Sequence, residues 1–318
     1  MSDPCEPTRT IGPGSLLAGR WRLEVCVGEG GMGEVWRGHH EVLRRAAAIK
    51  VVRNTAPASR ERLLQEARVL ASIRHPAVVE VFDFGEHEDV PFYVMEPLIG
   101  RSLGERIRSG GPISPRAAVE LIAPVLDGLE AAHAAGVVHR DVKPDNVFLV
   151  ATALGERPKL VDFGIARVRD RATRLTMAGA IVGTPDYMAP EQIQGLEPDA
   201  RADVWAIGVT IYEAIAGRPP FEANDIPATL HRVLHEAPER VPMIDDALWA
   251  ILLRALDKSP ALRFPSASAF AAALGAWSNG RLLSSPTQTM PAAARADQSP
   301  DPLRGSLDAL LRGKLTPR

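Results

Sequence analysis

The first hundred residues alternate between hydrophobic and polar positions in short segments, which is the pattern of half-buried β-strands. Such segments cover residues 21–27, 34–39, 46–52, 78–84 and 91–95. Between the third and the fourth, residues 60–73 carry leucine, isoleucine and alanine at helical spacing, and His75 and Pro76 then end the helix. The sequence therefore predicts an antiparallel sheet of five strands with one helix in this first part.

From Gly100 onward the hydrophobic positions recur mainly at helical spacing. Helices are predicted over residues 115–135, 203–216, 228–236, 245–256 and 266–277, with short strands over 137–138, 147–150 and 159–161. A run of strands followed by a run of helices predicts an α+β fold with two lobes. Residues 1–15 lack such periodicity, so we expect a disordered leader. Residues 278–318 are rich in Ala, Pro, Ser and Thr and lack a core, so we expect a mostly disordered tail.

The composition excludes several classes of protein. Of the 318 residues, 46% are hydrophobic, which is enough to bury a core. With 37 basic and 39 acidic residues the net charge is −2, which argues against a dedicated nucleic-acid binder. Cys5 and Cys26 are the only cysteines, so a disulfide framework and a four-cysteine zinc site are excluded. The polar N-terminus and the charges that interrupt every long apolar stretch predict a cytoplasmic protein without a secretory signal or a membrane span.

A glycine-rich segment, residues 28–35, has the pattern G-x-G-x-x-G-x-V and joins the first two predicted strands. A dinucleotide-binding turn needs a helix after its last glycine, but here a strand follows. Two interpretations stay open on this motif alone: a flexible hairpin with spare glycines, or a hairpin whose backbone N–H groups approach a polyphosphate. Lys50, in the third strand, favours the second, because a lysine in an apolar strand is costly to bury without an anion. Glu66, on the following helix, can pair with it.

The segment 138–147 concentrates reactive side chains in one short loop between apolar residues. Asp141 can accept a proton from a hydroxyl group, Lys143 can offset the charge of a phosphate, and Asn146 supplies an oxygen that suits Mg²⁺. Asp162 follows at the end of a short strand, before Phe163, and offers a second contact to a metal ion. An ordinary polar turn is the plainer interpretation of each piece alone, and the joint order of the pieces argues against it.

In this order, these motifs resemble the eukaryotic-type protein kinase superfamily. The resemblance covers about residues 21–277 and, because of Lys143 and the segment 183–192, looks most like the bacterial serine/threonine protein kinases. It implies a bilobal protein-kinase-like fold, with a kinase domain over 16–277 divided into an N-lobe (16–95), a hinge (96–101) and a mainly helical C-lobe (102–277). The implied activity is that of a non-specific serine/threonine protein kinase in signal transduction. Such an enzyme transfers the γ-phosphate of ATP, with Mg²⁺ or Mn²⁺, to Ser/Thr hydroxyl groups of protein substrates and of itself.

The resemblance also implies roles for individual residues. Asp141, Lys143 and Asn146 are the implied catalytic residues, and Asn146 and Asp162 the implied Mg²⁺ ligands. The residues implied in ATP binding are Val27, Gly28, Glu29, Gly30, Gly31, Met32, Gly33, Glu34, Val35, Ala48, Lys50, Glu66, Glu96 and Leu98. A further acid, Asp203, is implied as the brace of the catalytic loop, and Glu191 and Arg263 as a buried ion pair.

Regulation is implied between Asp162 and Glu191. Thr176 is the implied activating phosphosite, with Thr173 as its substitute, and the resemblance places Arg140 and Arg167 in the pocket that receives the phosphate. Ala178 stands where relatives often carry a second phosphorylatable threonine, which puts a two-threonine switch in doubt. In the hinge, Pro97 cannot donate a hydrogen bond, but the implied adenine contacts are the Glu96 carbonyl and the Leu98 N–H, so no needed donor is lost.

Two other classes of function remain as alternatives. A pseudokinase scaffold predicts loss of Lys50, Asp141, Asn146 or Asp162, and all four are present. A small-molecule phosphotransferase of the aminoglycoside-kinase type would not be expected to carry the peptide-docking segment with Ala-Pro-Glu at 189–191.

The tail allows two interpretations. Leucines at 303, 307, 310, 311 and 315 recur at helical spacing, which predicts a short helix over 303–315. That helix is too short to be stable alone in water, so it would fold only against the kinase domain, a second copy of the chain or a partner. The other interpretation is a disordered tail with incidental leucines. Residues 284–289 hold a cluster of hydroxyl groups that is a candidate for autophosphorylation.

Overall fold

An antiparallel sheet of six strands makes up the N-terminal part of the chain, in a computed structural model that describes residues 11–30, 33–52, 67–163 and 185–280. The strands are β1 (Leu16–Leu17), β2 (Trp21–Gly30), β3 (Gly33–His40), β4 (Ala46–Val52), β5 (Val81–His87) and β6 (Val90–Met95). Their order in the sheet is β1-β2-β3-β4-β6-β5. Residues 67–72 form a helix, α1, beside it.

The two faces of this sheet serve different purposes, because successive side chains of a strand point to opposite sides. On one face Ile49 of β4 pairs with Val94 of β6, and both are fully buried in a small core with Trp21 and Trp36. On the other face the next pair in the register is Lys50 and Tyr93. The same alternation that builds the core therefore directs a charged and a polar side chain toward the second part of the molecule.

The second part is helical and contains a small three-stranded sheet. Its strands are β7 (Gly100–Ser102), β8 (Val147–Thr152) and β9 (Gly155–Leu160). Its helices are α2 (Leu103–Gly110), α3 (Pro115–Ala134), α4 (Pro190–Ile193), α5 (Ala200–Ala216), α6 (Ile226–His235), α7 (Asp246–Ala255) and α8 (Ala267–Ser278). Helix α5 is apolar on all sides and buried along most of its length, as expected of a central core helix.

Residues 77–79 connect the two parts through backbone hydrogen bonds to Leu160 at the end of β9. The Leu160 N–H donates to the Ala77 carbonyl at 2.8 Å, and the Val79 N–H donates to the Leu160 carbonyl at 2.9 Å. Asp162 follows two residues after this junction. Its position is thus set from both parts of the molecule.

The α+β fold with a strand-rich first lobe and a helical second lobe is confirmed, and the differences from the predictions have local causes. The strand predicted over 78–84 is β5, shifted to Val81–His87, because Val78 forms a parallel bridge with Leu160 instead. Helices α2 and α4 and strands β1 and β7 were not predicted, since each has eight residues or fewer and so offers few positions in which a period can be recognised. Residues 137–138 form no strand. Gly100 and Arg101, predicted as the end of the hinge, already belong to β7.

Part of the predicted leader is structured. Residues 11–15, assigned to the disordered leader, are tied to β2, because the Gly14 N–H donates to the Leu23 carbonyl and the Leu23 N–H to the Ser15 carbonyl. Several predicted segments lie outside the described residues: residues 1–10, the first part of the predicted helix 60–73, and residues 281–318, which include the predicted helix 303–315. Within the described ranges, no helix combines the length and apolar character needed to cross a membrane.

Gly33 is required by the packing of β3 on β4. Its φ is +136°, and a Cβ at this position would lie 1.9 Å from the Val51 carbonyl oxygen. A Cβ at Gly30, in contrast, would meet no atom within 4 Å. We expect Gly33→Ala to lower the free energy of unfolding by about 1–3 kcal/mol, and Gly30→Ala to change it by less than about 0.5 kcal/mol. Urea unfolding of both variants tests this, and equal effects would contradict it.

Candidate active site

Asp203 fixes the backbone of the loop 138–147. It lies in the first turn of α5 and is fully buried. Its carboxylate accepts hydrogen bonds from the backbone N–H groups of His139 and Arg140, both at 2.8 Å, and His133 Nε2 lies 2.7 Å from its Oδ2. Because a buried carboxylate with several donors is held in one orientation, Asp203 determines the path of the loop.

Arg140 and Asp162 both adopt a left-handed backbone conformation, with φ of +64° and +54°. Such a conformation costs a residue other than glycine about 1–3 kcal/mol and persists only where the surroundings enforce it. Asp203 holds Arg140 through its N–H, and the junction of Leu160 with residues 77–79 holds the chain before Asp162. Strain at two points of one cleft is typical of a functional site.

Asp141, Lys143 and Asn146 form one compact group in this loop. Asn146 Nδ2 donates to the Asp141 carbonyl at 2.7 Å and to Asp141 Oδ2 at 3.1 Å. Lys143 Nζ lies 3.4 Å from the same Oδ2, and the side chains of Lys143 and Asp141 are 18% and 12% exposed. A carboxylate held in this way, beside a cation and still reachable from solvent, can accept a proton from a hydroxyl group.

Lys50 and Asp162 meet across the cleft between the two parts. Lys50 Nζ lies 2.7 Å from Asp162 Oδ1, and the Tyr93 hydroxyl donates to the same oxygen at 3.2 Å. Burial raises the pKa of the Asp162 carboxyl, but the Lys50 ammonium and the two hydrogen bonds outweigh burial and leave this pKa below its usual value. Burial, together with the Asp162 charge, raises the pKa of the Tyr93 hydroxyl well above its usual value. Asp162 is therefore an anion at neutral pH, and Tyr93 a neutral donor.

His139 is a structural residue of the site rather than an acid or base. Burial lowers the pKa of its imidazole, although the Asp203 and Asp141 charges oppose this. Nε2 lies 3.1 Å from the Val161 carbonyl, and Nδ1 accepts from the Asp141 N–H at 3.3 Å, which fits a neutral ring protonated on Nε2. The ring also packs on Phe163, with 4.5 Å between the centroids.

The residues at the cleft fit a magnesium ion bound together with a phosphate. Because the Asn146 amide directs its NH₂ group to Asp141, its oxygen is turned away from Asp141 and can bind a cation. The backbone carbonyl of Asn146 accepts a hydrogen bond from the Val161 N–H at 3.0 Å. This bond places Asn146 beside the residue that precedes Asp162. Within the described part of the chain, no group of three or more His, Cys, Asp and Glu could hold a metal ion. An amide and one carboxylate are the donor set that Mg²⁺ uses when substrate phosphates complete its coordination.

The glycine-rich segment forms the hairpin of β2 and β3, in which Gly28 pairs with Val35, Glu29 with Glu34 and Gly30 with Gly33. Open space surrounds Gly28 and Gly30 where a Cβ would stand. Val27 is 60% exposed, and Ala48 pairs with Met95, the residue directly before the hinge. This arrangement leaves an accessible backbone and apolar side chains on one wall of the cleft.

The hinge carboxylate Glu96 is held in place by polar contacts. Glu96 Oε1 accepts from the Glu80 N–H at 2.9 Å and pairs with Lys159 Nζ, and the Glu96 N–H donates to the Glu80 carbonyl. Among the described residues, none is hydrogen-bonded to the Glu96 carbonyl or the Leu98 N–H. Both backbone groups are thus available for a ligand in the cleft.

Five residues named from the sequence as ligand contacts or phosphosites lie outside the described residues, and so does one arginine of the phosphate pocket: Gly31, Met32, Glu66, Thr173, Thr176 and Arg167. Arg140 is described, and its Nη2 lies 3.3 Å from Glu197 Oε1. Three groups escaped the sequence reasoning: Tyr93 and Lys159 at the cleft, and Glu213 in the helical part. Only their tertiary contacts distinguish them from ordinary core or surface residues.

The predicted ion pair of Glu191 and Arg263 is confirmed. Both Arg263 Nη atoms lie 2.8 Å from a Glu191 oxygen, and the arginine side chain is completely buried. The pair connects α4 with the segment before α8 and anchors the chain that follows residue 185 to the helical core.

Glu213, in α5, carries a carboxyl group with an unusual pKa. Burial, together with the negative charges of Asp145 and Asp186, raises the pKa of Glu213 to about 7, against the opposing hydrogen bond from Tyr187 and the charge of Arg108. The Tyr187 hydroxyl donates to Glu213 Oε2 at 2.7 Å. Glu213 therefore links α5 to the short turn Pro185–Tyr187 through a bond that is present in both charge states.

This pKa makes the stability depend on pH. The pKa of Glu213 in the folded chain lies above its ordinary value of 4.5, so the stabilising contribution of protonated Glu213 is complete below pH 4.5 and is lost as the pH rises through 7. We compare the free energy of unfolding of Glu213→Gln with that of the wild type at each pH. This difference should favour the variant by about 2 kcal/mol more at pH 8 than at pH 5. Urea unfolding at both pH values measures the difference. Tyr187→Phe, which removes the donor to the carboxylate, should enlarge the pH effect, and a difference independent of pH would contradict this account.

Comparison with known proteins gives consistent matches over most of the chain. Residues 21–272 match the family described as "Protein kinase domain". The chain is 37% identical over 276 residues to the probable serine/threonine-protein kinase PknB of Corynebacterium glutamicum, an alignment that covers 82% of this chain and 42% of that protein. It is 40% identical over 268 residues to the serine/threonine-protein kinase Pkn1 of Myxococcus xanthus, with 81% and 38% covered. With the serine/threonine-protein kinase PknA of Mycobacterium tuberculosis it shares 35% identity over 287 residues, with 87% and 66% covered. The chain spans less than two thirds of the length of each of these relatives.

Proposed function

Because the chain belongs to the protein kinase family, we propose that it is a serine/threonine protein kinase with its kinase domain over residues 16–277. It transfers the γ-phosphate of ATP to Ser and Thr hydroxyl groups of protein substrates and of itself. The observation that carries this proposal is a pair of side-chain contacts in the cleft. Asp141 accepts a hydrogen bond from Asn146, and Asp162 forms an ion pair with Lys50. No member of the set required for phosphoryl transfer is missing.

The proposed reaction is an in-line displacement at the γ-phosphorus. The substrate hydroxyl oxygen forms a bond to the γ-phosphorus, the bond from that phosphorus to the bridging oxygen of ADP breaks, and the hydroxyl proton passes to the Asp141 carboxylate. Lys143, beside Asp141, stabilises the charge on the γ-phosphate. Mg²⁺, held by Asn146 and Asp162, would neutralise phosphate charge when bound.

ATP binding is assigned to the walls of the cleft. Lys50 turns from Asp162 to the α- and β-phosphates, with Glu66 as its proposed partner, and the backbone of residues 28–34 covers the phosphates. The adenine ring packs against Val27, Val35 and Ala48, and uses the Glu96 carbonyl and the Leu98 N–H. Two observations support this assignment: Val27 is exposed, and no described residue is hydrogen-bonded to the Glu96 carbonyl or the Leu98 N–H.

Regulation by phosphorylation is a further part of the proposal. Phosphate on Thr176, or on Thr173 in its place, would be received by Arg140 and Arg167. Arg140 Nε is buried and has no hydrogen-bond partner among the described residues, which supports its readiness for such a ligand. Binding of a partner or self-association through the tail belongs to the proposal as well.

Phosphoamino-acid analysis tests this function. The full chain is incubated with Mg²⁺, γ-labelled ATP and a generic basic protein, and in parallel with an aminoglycoside as the acceptor. We expect label on phosphoserine and phosphothreonine and none on the aminoglycoside. Label on the small molecule would favour the aminoglycoside-kinase alternative, and binding of ATP without transfer would favour the pseudokinase alternative.

A further inference from the structure

Tyr93 occupies a position in the cleft that points to a role in the reaction. It lies in β6, directly opposite Lys50 of β4, and its side chain is almost completely buried. Opposed residues of antiparallel strands project to the same face of a sheet, so both side chains extend toward the second part of the molecule. There, Lys50 Nζ and the Tyr93 hydroxyl both contact Asp162 Oδ1, at 2.7 Å and 3.2 Å.

The two donors differ in what they do to the carboxylate. The Lys50 ammonium neutralises the negative charge of Asp162, whereas the Tyr93 phenol is neutral and fixes an orientation without removing charge. Both bonds end on Oδ1, and Oδ2 accepts neither of them. A carboxylate that binds a cation needs both its negative charge and a fixed orientation. The bond from Tyr93 fixes the orientation and leaves the charge, whereas the Lys50 ammonium neutralises the charge.

We propose that Tyr93 is a positioning residue, which holds the Asp162 carboxylate in the orientation that binds Mg²⁺. This inference rests on the proposed function, because it takes Asp162 as the metal ligand and assigns Lys50 to the phosphates. Once Lys50 turns to the nucleotide, the bond from Tyr93 is the one that keeps Asp162 from rotating. Without its hydroxyl group, the Tyr93 side chain would contribute only packing in the core and no bond to Asp162.

The chain offers a matched control for this role. Tyr212, in α5, is also buried, and its hydroxyl donates a single hydrogen bond, to the Glu239 carbonyl at 2.9 Å. Tyr93→Phe and Tyr212→Phe remove the same atom and one hydrogen bond each. Two such losses should have similar effects on stability, while only the first touches the cleft.

The test is calorimetric binding of ADP to the full chain, with and without Mg²⁺, for the wild type and both variants. We expect equal ADP affinity without Mg²⁺ in all three proteins, and a gain in affinity on adding Mg²⁺ that is about tenfold smaller for Tyr93→Phe than for Tyr212→Phe. In the kinase assay, Tyr93→Phe should need about tenfold more Mg²⁺ for half-maximal rate and should approach the wild-type rate at saturating Mg²⁺.

Two different results would overturn the proposal. Superimposable Mg²⁺ titrations of Tyr93→Phe, Tyr212→Phe and the wild type would show that the hydroxyl only stabilises the fold, with the proposed function left intact. A wild-type chain whose ADP affinity does not respond to Mg²⁺ would overturn the proposed function, and the role of Tyr93 with it.

Discussion

Asp141→Asn is expected to lower kcat for phosphoryl transfer by about 10²–10⁴-fold, the usual contribution of a positioned general base. Asparagine has nearly the same shape and can still accept the Asn146 hydrogen bond, so the loop 138–147, which Asp203 holds through the backbone, should keep its path. It cannot take the proton of the substrate hydroxyl. The loss should therefore be in kcat, with ATP affinity and the midpoint of unfolding close to those of the wild type.

Steady-state kinetics with saturating ATP and peptide, together with calorimetric ATP binding, check this prediction. Asp246→Asn is the control. Like Asp141, Asp246 lies beside a cation, Arg240 at 2.5 Å, but its side chain is 92% exposed and has no role assigned in the cleft. We expect that variant to keep the wild-type rate. If Asp141→Asn also kept a substantial part of the rate, the assignment of the proton acceptor would be wrong.

Arg263→Met is expected to lower the free energy of unfolding by about 3–5 kcal/mol, because it leaves the Glu191 carboxylate buried without a partner. Arg263 also donates to the Asp257 and Arg201 carbonyls, at 2.8 Å and 3.1 Å, and these acceptors lose their donor too. The surface pair Arg116–Glu120 has the same 2.8 Å separation with side chains 70% and 58% exposed. Arg116→Met should cost less than about 1 kcal/mol, since water already solvates both charges.

A double-mutant cycle separates the unpaired charge from the other losses. Glu191→Gln combined with Arg263→Met should be less destabilising than the sum of the two single changes, because the double variant buries no unpaired carboxylate. Urea unfolding of the four proteins supplies the free energies. Strict additivity, or an Arg263→Met variant as stable as Arg116→Met, would contradict the account.

The parts of the site that the sequence predicts are those encoded within a short segment. Asp141, Lys143 and Asn146 fall within six residues of one another, so their chemistry can be recognised before any tertiary contact is known. Long, strongly periodic helices such as α3 are equally readable, and the prediction of 115–135 matches Pro115–Ala134 to one residue. Strand β1, with two residues, is too short to show a period at all.

The parts that escape the sequence depend on register and on distant contacts. Tyr93 reaches Asp162 across a separation of 69 residues, and Lys159 reaches Glu96 across 63. In the sequence, Tyr93 is one more apolar position of a strand, and Lys159 is a polar residue at the edge of a short apolar segment. Their roles follow from the pairing of β4 with β6 and from the junction of residues 77–79 with Leu160, neither of which a hydrophobic pattern specifies.

Transfer of the γ-phosphate of ATP to Ser and Thr is tested by following two labels side by side. The full chain and a Ser/Thr-containing protein substrate are incubated with Mg²⁺ and either γ-labelled or α-labelled ATP, and the labelled positions are mapped by mass spectrometry. We expect transfer of the γ-label alone to Ser and Thr, and loss of this transfer in the Asp141→Asn variant. Incorporation of the α-label, or no incorporation of either label by a folded wild-type chain that binds ATP, would contradict this expectation.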